Sequence, residues 1–180
     1  AGQGVLLARI AQRFSFDRLQ GVDLMEAPGG LDENIQWQAS DLNKNLPLTN
    51  EQFDSITAIE VIEHLENPRH VMRELFRLLK PGGYALLSTP NNESWRSLIS
   101  YWLRGHFVAF TDSSYPAHIT ALNRKDLARS ARESGFSVEA WHYSNFGCLP
   151  SLTKLSWQSL SMGFLKGLRF SDNLFVILKK

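Results

Sequence analysis

The sequence holds a single cysteine, Cys148, and no long apolar run. A lone cysteine forms neither an internal disulfide nor a cysteine-built metal site, so nothing indicates an oxidising compartment. No segment approaches the roughly 20 consecutive apolar residues of a membrane span, and no basic-then-apolar leader opens the chain. With 43% hydrophobic and 21% charged residues, the composition also excludes a mainly disordered chain. We therefore expect a globular, cytoplasmic protein without a membrane span.

The 180 residues fit one domain, 1–180, with a core of its own. The net charge of +1 conceals an asymmetry, because residues 1–66 carry −7 and residues 67–180 carry +8. Most bases of the second part recur at helical spacing, which is typical of solvated helix faces. The pattern thus disfavours a nucleic acid as partner.

Strand and helix patterns alternate along the chain. Apolar residues recur at spacings of three and four in helical segments, and short β-branched or continuous apolar runs indicate strands. Helices are predicted over 5–14, 68–79, 97–103 and 122–134, and strands over 19–24, 35–39, 53–59, 84–89, 136–143 and 173–178. Residues 151–168 also carry apolar residues at roughly helical spacing. This alternation favours a parallel sheet with crossover helices.

The chain opens inside a glycine turn, Ala1-Gly2-Gln3-Gly4, that leads into a helix. Such a turn normally follows a buried strand, so we expect the first strand of the fold to precede these residues. Gly4 and Asp23 lie 19 positions apart. This is close to the ~20 residues that separate a glycine loop from a carboxylate binding ribose hydroxyls. The spacing suggests an adenosine-type ligand.

Several segments resemble the motifs of one enzyme family, in that family's order. They are Ala1-Gly2-Gln3-Gly4, Gly21-Val22-Asp23, Ala39-Ser40-Asp41-Leu42, residues 53–65 and residues 78–83. Together they resemble class I S-adenosylmethionine-dependent methyltransferases over residues 1 to about 90, and Ser134-Gly135-Phe136 with the final strand resembles that family's closing antiparallel pair. The small-molecule type, similar to the ubiquinone-pathway O-methyltransferases, is the nearest resemblance.

The resemblance implies a Rossmann-like α/β fold: a mostly parallel seven-stranded sheet with helices on both faces and an antiparallel last strand. It also implies the cofactor S-adenosylmethionine, with S-adenosylhomocysteine as product. Gly2 and Gly4 would let the backbone approach the cofactor, Asp23 would bind the ribose and Asp41 the adenine amino group. Leu24 and Leu42 would flank the ring, and the backbone of Ile59 and Glu60 would pass the methionine portion.

Histidine is the side chain best suited to remove a proton from a hydroxyl acceptor near neutral pH. His118 lies in the irregular segment where relatives build their acceptor pocket, and His64 follows the fourth strand of the family's fold. Both are candidate catalytic residues, and a purely structural role is an equal alternative. Glu60, Glu63 and His64 also resemble the Glu-x-x-Glu-His motif of ubiquinone-pathway enzymes, some of which use a metal there. A solvated polar helix start is the favoured interpretation, and no metal site is predicted.

Residues 91–121 are aromatic-rich and irregular, and we expect them to cap the acceptor site. The predicted function is therefore methyl transfer from S-adenosylmethionine to a small-molecule acceptor by a monomer or homodimer. Two alternatives stay open. A non-catalytic methyltransferase-fold scaffold retains the same pattern, since fold does not fix function. A nicotinamide-dependent oxidoreductase shares the glycine-to-acid spacing, although the chain has no Tyr-x-x-x-Lys pair.

Overall fold

A computed structural model describes residues 1–150 and 152–180. The chain divides into two compact units, Ala1–Leu48 and Thr49–Lys180. Each unit is described by itself. None of the helices in the described residues has the length and apolar character that a membrane crossing requires.

The first unit contains one helix and two parallel strands, α1 (Val5–Arg13), β1 (Leu19–Asp23) and β2 (Ile35–Ala39). Leu19 pairs with Ile35 at one end of the ladder, and Asp23 pairs with Ala39 at the other. Gly21, in the middle of β1, is required by packing, because a Cβ there would lie 2.6 Å from the Trp37 ring. Because β1 and β2 are parallel, their carboxyl ends lie at the same edge of this two-stranded sheet.

The second unit is built on a mixed four-stranded sheet. Its strands are β3 (Phe53–Ile59), β4 (Leu79–Pro90), β5 (Ser137–Tyr143) and β8 (Asn173–Lys179), in the order β3-β4-β8-β5. β3 and β4 are parallel, whereas β8 is antiparallel to both β4 and β5. A small antiparallel hairpin adds β6 (Cys148–Leu149) and β7 (Leu152–Ser156).

Four helices belong to this unit: α2 (Pro68–Leu78), α3 (Trp95–Arg104), α4 (Arg124–Glu133) and the single turn α5 (Trp157–Leu160). The apolar residues of α2 and α4 form their buried faces. α2 packs against β4 and α4, and α4 packs against β5. The shared core comprises Val71, Met72, Leu75, Leu78, Ala85, Leu87, Leu127, Ala131, Leu174, Val176 and Leu178. Asn67 caps α2, since its side chain accepts a hydrogen bond from the amide of His70 at 3.0 Å.

The structure differs from the sequence expectations at three points. The predicted Rossmann-like α/β class agrees with the described residues, which form a mixed four-stranded sheet and two two-stranded ladders. Seven strands in one mostly parallel sheet are not confirmed there. The helical spacing over 151–168 was misleading, because its described residues form β7, the short α5 and a turn at Leu168–Phe170. The strand predicted at 84–89 is also longer, since β4 begins at Leu79 and carries the Lys80-Pro81-Gly82-Gly83 segment as an irregularity opposite Phe53 and Ser55.

The junction between α4 and β5 gives a stability prediction. Gly135 has a φ of +103°, and a Cβ there would lie 2.7 Å from the Phe76 ring, which stacks edge-on against Phe136 at 5.1 Å. We expect Gly135→Ala to lower the free energy of unfolding by about 2–4 kcal/mol, through backbone strain and overpacking together. Urea denaturation followed by circular dichroism measures this loss.

Gly105→Ala is the matched control, because Gly105 also has a positive φ (+78°) but open space where its Cβ would lie. Its expected cost is about 1 kcal/mol, from the backbone alone. Equal losses in the two variants would contradict the assigned contact with Phe76.

Candidate functional site

The glycine turn and Asp23 are in direct contact in the first unit. The amide of Gly2 donates a hydrogen bond to Asp23 Oδ2 at 2.7 Å, and the amide of Met25 donates to Oδ1 at 3.2 Å. Burial raises the pKa of Asp23, whereas the hydrogen bonds from the backbone amides of Gly2 and Met25 lower it. The carboxylate is thus ionised at neutral pH.

Two glycines of this turn have backbone angles in the left-handed region. Gly2 and Gly4 have φ values of +55° and +71°, a region that side chains disfavour. Gly4 is also the N-cap residue of α1, and no side chain caps that helix end. Free amides at a helix N-terminus attract negative groups. The turn therefore places a helix N-terminus without a side-chain cap beside the Asp23 carboxylate.

Asp41 follows the neighbouring strand. β1 and β2 are parallel, and the amide of Ser40 donates to the carbonyl of Asp23 at 2.7 Å, so both acids lie at the same strand edge. The amide of Asn43 donates to Asp41 Oδ1 at 2.9 Å and, with the charge of Lys44, keeps the pKa of Asp41 below its usual value. Leu24 is 72% exposed, and Leu42 is half-buried.

In the second unit, Ile59 ends β3 and Glu60 turns the chain with a φ of +51°. Each oxygen of the half-buried Glu60 carboxylate accepts one hydrogen bond, from Ser88 Oγ at 2.7 Å and from Asn173 Nδ2 at 3.0 Å. Glu60 does not lie on the helical turn, which spans only Ile62–His64. The three residues of the Glu-x-x-Glu-His motif therefore do not share one helical turn.

Three other side chains do converge. They are Glu63, His64 and His118. Each contributes one side-chain oxygen or nitrogen atom to a group in which all three atoms lie within 4.8 Å of one another. Glu63 is completely buried and its two carboxyl oxygens have no hydrogen-bond partner. The prediction that this carboxylate lies on a solvated face is therefore wrong. Burial, with a smaller contribution from the negative charge of Glu60, raises the pKa of Glu63 to about 7.

Both histidines of this Glu63/His64/His118 cluster have a fixed ring orientation. Nδ1 of His64 lies 2.6 Å from the carbonyl oxygen of Ala117, and Nδ1 of His118 lies 2.7 Å from that of Ala109. A carbonyl oxygen only accepts hydrogen bonds, so each Nδ1 carries a proton. In the neutral ring, Nε2 then holds a free lone pair. The two rings pack edge to face, with centroids 4.7 Å apart.

Backbone hydrogen bonds join the two segments that carry the cluster. The amides of Ile119 and Thr120 both donate to the carbonyl of Glu63 at 3.0 Å. The hydroxyl of Thr120 donates to the carbonyl of Leu65 at 2.6 Å. These bonds hold residues 117–120 against residues 63–65.

A cavity of about 180 Å³ lies beside this cluster, at the carboxyl end of β4. Its wall includes Asn91, Arg96, Ala109, Asp172 and Asn173. Ala109 supplies the carbonyl that orients His118, and Asn173 binds the carboxylate of Glu60. Arg96 and Asp172 form an ion pair at 2.9 Å. The cavity is thus polar, and residues of the 91–121 segment form much of its wall.

The sequence alone did not identify His118 as a neighbour of Glu63, or Asn173 as a hydrogen-bond donor to Glu60. Nothing in the local pattern links His118 to Glu63, because 55 positions separate them. Asn173 was detectable in principle: it begins the antiparallel last strand, and the first residue of such a strand lies at the edge where the parallel strands end.

One family model and several known proteins match this chain. The family model described as a methyltransferase domain matches residues 1–140. The chain is 37% identical over 101 residues to a ubiquinone biosynthesis O-methyltransferase of Pseudomonas fluorescens (strain SBW25), covering 50% of this chain and 41% of the relative. A second such enzyme, from Pseudomonas syringae pv. tomato, is 36% identical over 151 residues, covering 78% of this chain and 58% of the relative.

Solved structures share the fold at low sequence identity. One of them is the 1,6-didemethyltoxoflavin-N1-methyltransferase of Burkholderia thailandensis, with bound 1,6-didemethyltoxoflavin and S-adenosylhomocysteine. It aligns with a TM-score of 0.62 at 14% identity, covering 100% of this chain and 68% of that one. The chain spans about half the length of the curated relatives that it matches. The match of the family model to most of the chain shows that it belongs to the class I S-adenosylmethionine-dependent methyltransferase family.

Proposed function

We propose that this chain carries out S-adenosylmethionine-dependent methyl transfer to a small-molecule acceptor. The observation that carries the proposal is the contact between Gly2 and Asp23, in which a left-handed glycine turn meets an ionised carboxylate at a strand edge. A carboxylate in that position accepts hydrogen bonds from ribose hydroxyls in nucleoside-binding α/β folds. Membership of the methyltransferase family supports the same cofactor.

The residues present fit this cofactor. A Cβ on Gly2 would meet nothing within 4 Å, so a ligand has access to the turn. We assign the ribose to Asp23 and the adenine amino group to Asp41, with Leu24 and Leu42 flanking the ring. The family motif also implies that the backbone of Gly2 and Gly4 approaches the cofactor. It implies the same for the backbone of Ile59 and Glu60, near the methionine portion. We also propose that the domain has the mostly parallel seven-stranded sheet that is typical of this family.

S-adenosylmethionine supplies, when bound, a methyl group already activated on a sulfonium, so that alignment of the acceptor is the main requirement. The cavity beside β4 is the candidate acceptor pocket, with residues 91–121 as its cap. His64 and His118 are the candidate bases, since Nε2 of each neutral ring holds a lone pair that can accept a hydroxyl proton. The curated relatives are named O-methyltransferases, which supports a hydroxyl acceptor.

The cofactor assignment predicts that S-adenosylhomocysteine binds and that Asp23→Asn weakens this binding about 10- to 100-fold. Hydrogen bonds to a charged group contribute about 1.5–3 kcal/mol, and the neutral amide forfeits much of this. Isothermal titration calorimetry with the isolated protein measures the change.

Asp17→Asn is the matched control, because it removes the same charge from an exposed position of the same unit, and it should leave the affinity unchanged. Titration with NADH tests the oxidoreductase alternative. Binding of NADH in place of S-adenosylhomocysteine would contradict the proposal, and binding of neither would favour a scaffold.

The catalytic assignment predicts that His118→Gln lowers kcat by about 100-fold or more and leaves the affinity for S-adenosylhomocysteine unchanged. A positioned acid–base group contributes about 10²–10⁴-fold to the rate. Formation of S-adenosylhomocysteine with catechol and simple phenols as trial acceptors measures turnover.

His106→Gln is the control for this experiment, since His106 lies in the same 91–121 segment but outside the cluster, with Nδ1 3.1 Å from the carbonyl of Phe107. An equal fall in kcat for both variants, or unchanged kcat for His118→Gln, would remove His118 from the reaction.

A further inference from the structure

A second cavity of the same unit, of about 80 Å³, lies along α3 and is called here the α3 cavity. Three polar side chains line it at the helical spacing of four residues, Arg96, Ser100 and Arg104. The other residues that line it are apolar, among them Ile99 and Leu103 of the same helix. Among the described residues, its wall thus includes two arginines and no acidic side chain, which favours a negatively charged ligand.

We propose that the α3 cavity binds a carboxylate group of the methyl acceptor, with Arg96 and Ser100 as its hydrogen-bond donors. The inference rests on the proposed function and deepens it, because it names a chemical class of acceptor. That class is an organic acid that carries a hydroxyl group at some distance from its carboxylate.

The hydroxyl of Ser100 is the first support. Ser100 is only 6% exposed, and its Oγ has no hydrogen-bond partner in the described structure. Most buried polar side chains are hydrogen-bonded, because a buried hydroxyl without a partner is destabilising. A serine inside a helix can bond the carbonyl four residues earlier, but Ser100 does not do so. A carboxylate in the α3 cavity would accept the hydrogen bond that this hydroxyl lacks.

The guanidinium of Arg96 is the second support. Its Nη1 donates to Asp172 Oδ2 at 2.9 Å, and the same oxygen accepts a hydrogen bond from the amide of Cys148 at 3.0 Å. This ion pair holds the Arg96 side chain, which is mostly buried, in one direction. Within the described residues, Asp172 is the only hydrogen-bond partner of that side chain. The remaining N–H groups of the guanidinium are therefore available to a ligand.

Charge and shape select a carboxylate among the common anions. Asp172 balances one of the two arginine charges, which favours a singly charged group over a doubly charged phosphate. A carboxylate is planar and matches the planar guanidinium through parallel hydrogen bonds. The apolar part of the wall, which includes Ile99 and Leu103, suits the hydrocarbon that adjoins a carboxylate. A phosphate ion presents only polar oxygens to such a surface.

The α3 cavity adjoins the candidate acceptor pocket. Arg96 and Val108 line both the α3 cavity and the cavity beside β4. Ala109, whose carbonyl orients His118, lines the cavity beside β4. An elongated acceptor with its hydroxyl near His118 would therefore place its opposite end against Arg96 and Ser100. In this arrangement, Arg96 determines which acceptors bind and takes no part in proton removal.

The test is calorimetric titration of the protein, saturated with S-adenosylhomocysteine, with phenolic acids and their neutral amides. The probes are para-hydroxyphenylacetate, para-hydroxyphenylpropanoate and para-hydroxyphenylbutanoate, which vary the distance between hydroxyl and carboxylate. Because hydrogen bonds to a charged group are strong, we expect at least one acid to bind about 10-fold or more tightly than its own amide. Acids that bind no better than their amides would overturn the inference.

Two variants locate the effect in the α3 cavity. Arg96→Gln should remove the preference for the acid and leave the affinity for the amide unchanged. Ser100→Ala should weaken binding of the acid about 3- to 10-fold, as loss of one hydrogen bond does. The hydroxyl of Ser100 has no partner, so its removal should not lower the melting temperature. A lower melting temperature with unchanged binding of the acid would give Ser100 a structural role and contradict the inference.

Arg129→Gln is the matched control, because it removes the same charge from an exposed position of α4 in the same unit. It should keep the preference of the parent protein for the acid. An equal loss in Arg129→Gln and Arg96→Gln would show a general effect of charge and overturn the site. Ser100→Ala decides the inference even if thermal unfolding shows that Arg96→Gln is not folded.

Two further titrations separate the remaining alternatives. Tighter binding of para-hydroxybenzylphosphonate than of every acid would overturn the carboxylate assignment in favour of a phosphate-like group. Titration with S-adenosylhomocysteine alone reports on the proposed function. Absence of that binding would overturn methyl transfer, whereas binding of S-adenosylhomocysteine without a preference for the acid would overturn only the carboxylate site.

Discussion

The backbone ladder of β8 is the interaction on which the second unit depends. β8 pairs along its length with β4 on one side and β5 on the other, and its inward residues, Leu174, Val176 and Leu178, are almost completely buried. Since β8 runs antiparallel to β4, its first residue, Asn173, lies at the edge where β3 and β4 end. The last strand therefore both closes the core and brings a polar side chain to the functional edge.

A second set of backbone bonds organises the chemistry at that edge. The carbonyl of Glu63 accepts two amide hydrogen bonds from residues 119–120, so a segment beyond β4 is held against the turn that follows β3. This arrangement aligns His118 with His64 and encloses the carboxyl of Glu63. Such an enclosed carboxyl is destabilising on its own, and proteins tend to retain strained or unsatisfied groups where function requires them.

Much of the architecture was predictable because its signals are local. Apolar spacing predicts the helix α2 and its buried face, and Gly135 marks the end of α4. The structure confirms both to within a few residues. The position of Asp23 at the end of a strand was also predictable, whereas its hydrogen bond from the amide of Gly2 is a finding of the structure. Residues 151–168 carry apolar residues at roughly helical spacing, but of the described residues there only Trp157–Leu160 form an α-helix.

By itself, the sequence determined the order of helices and strands, the positions of the acids at strand ends and the family to which the chain belongs. Only the tertiary structure decided that Glu60 is occupied by Ser88 and Asn173, that Glu63 is buried, and that His118 is its neighbour. Periodicity reports which face of an element is buried. It carries no information on which residues meet across 50 or 100 intervening positions, because sheet order and hydrogen bonds between distant segments set those contacts.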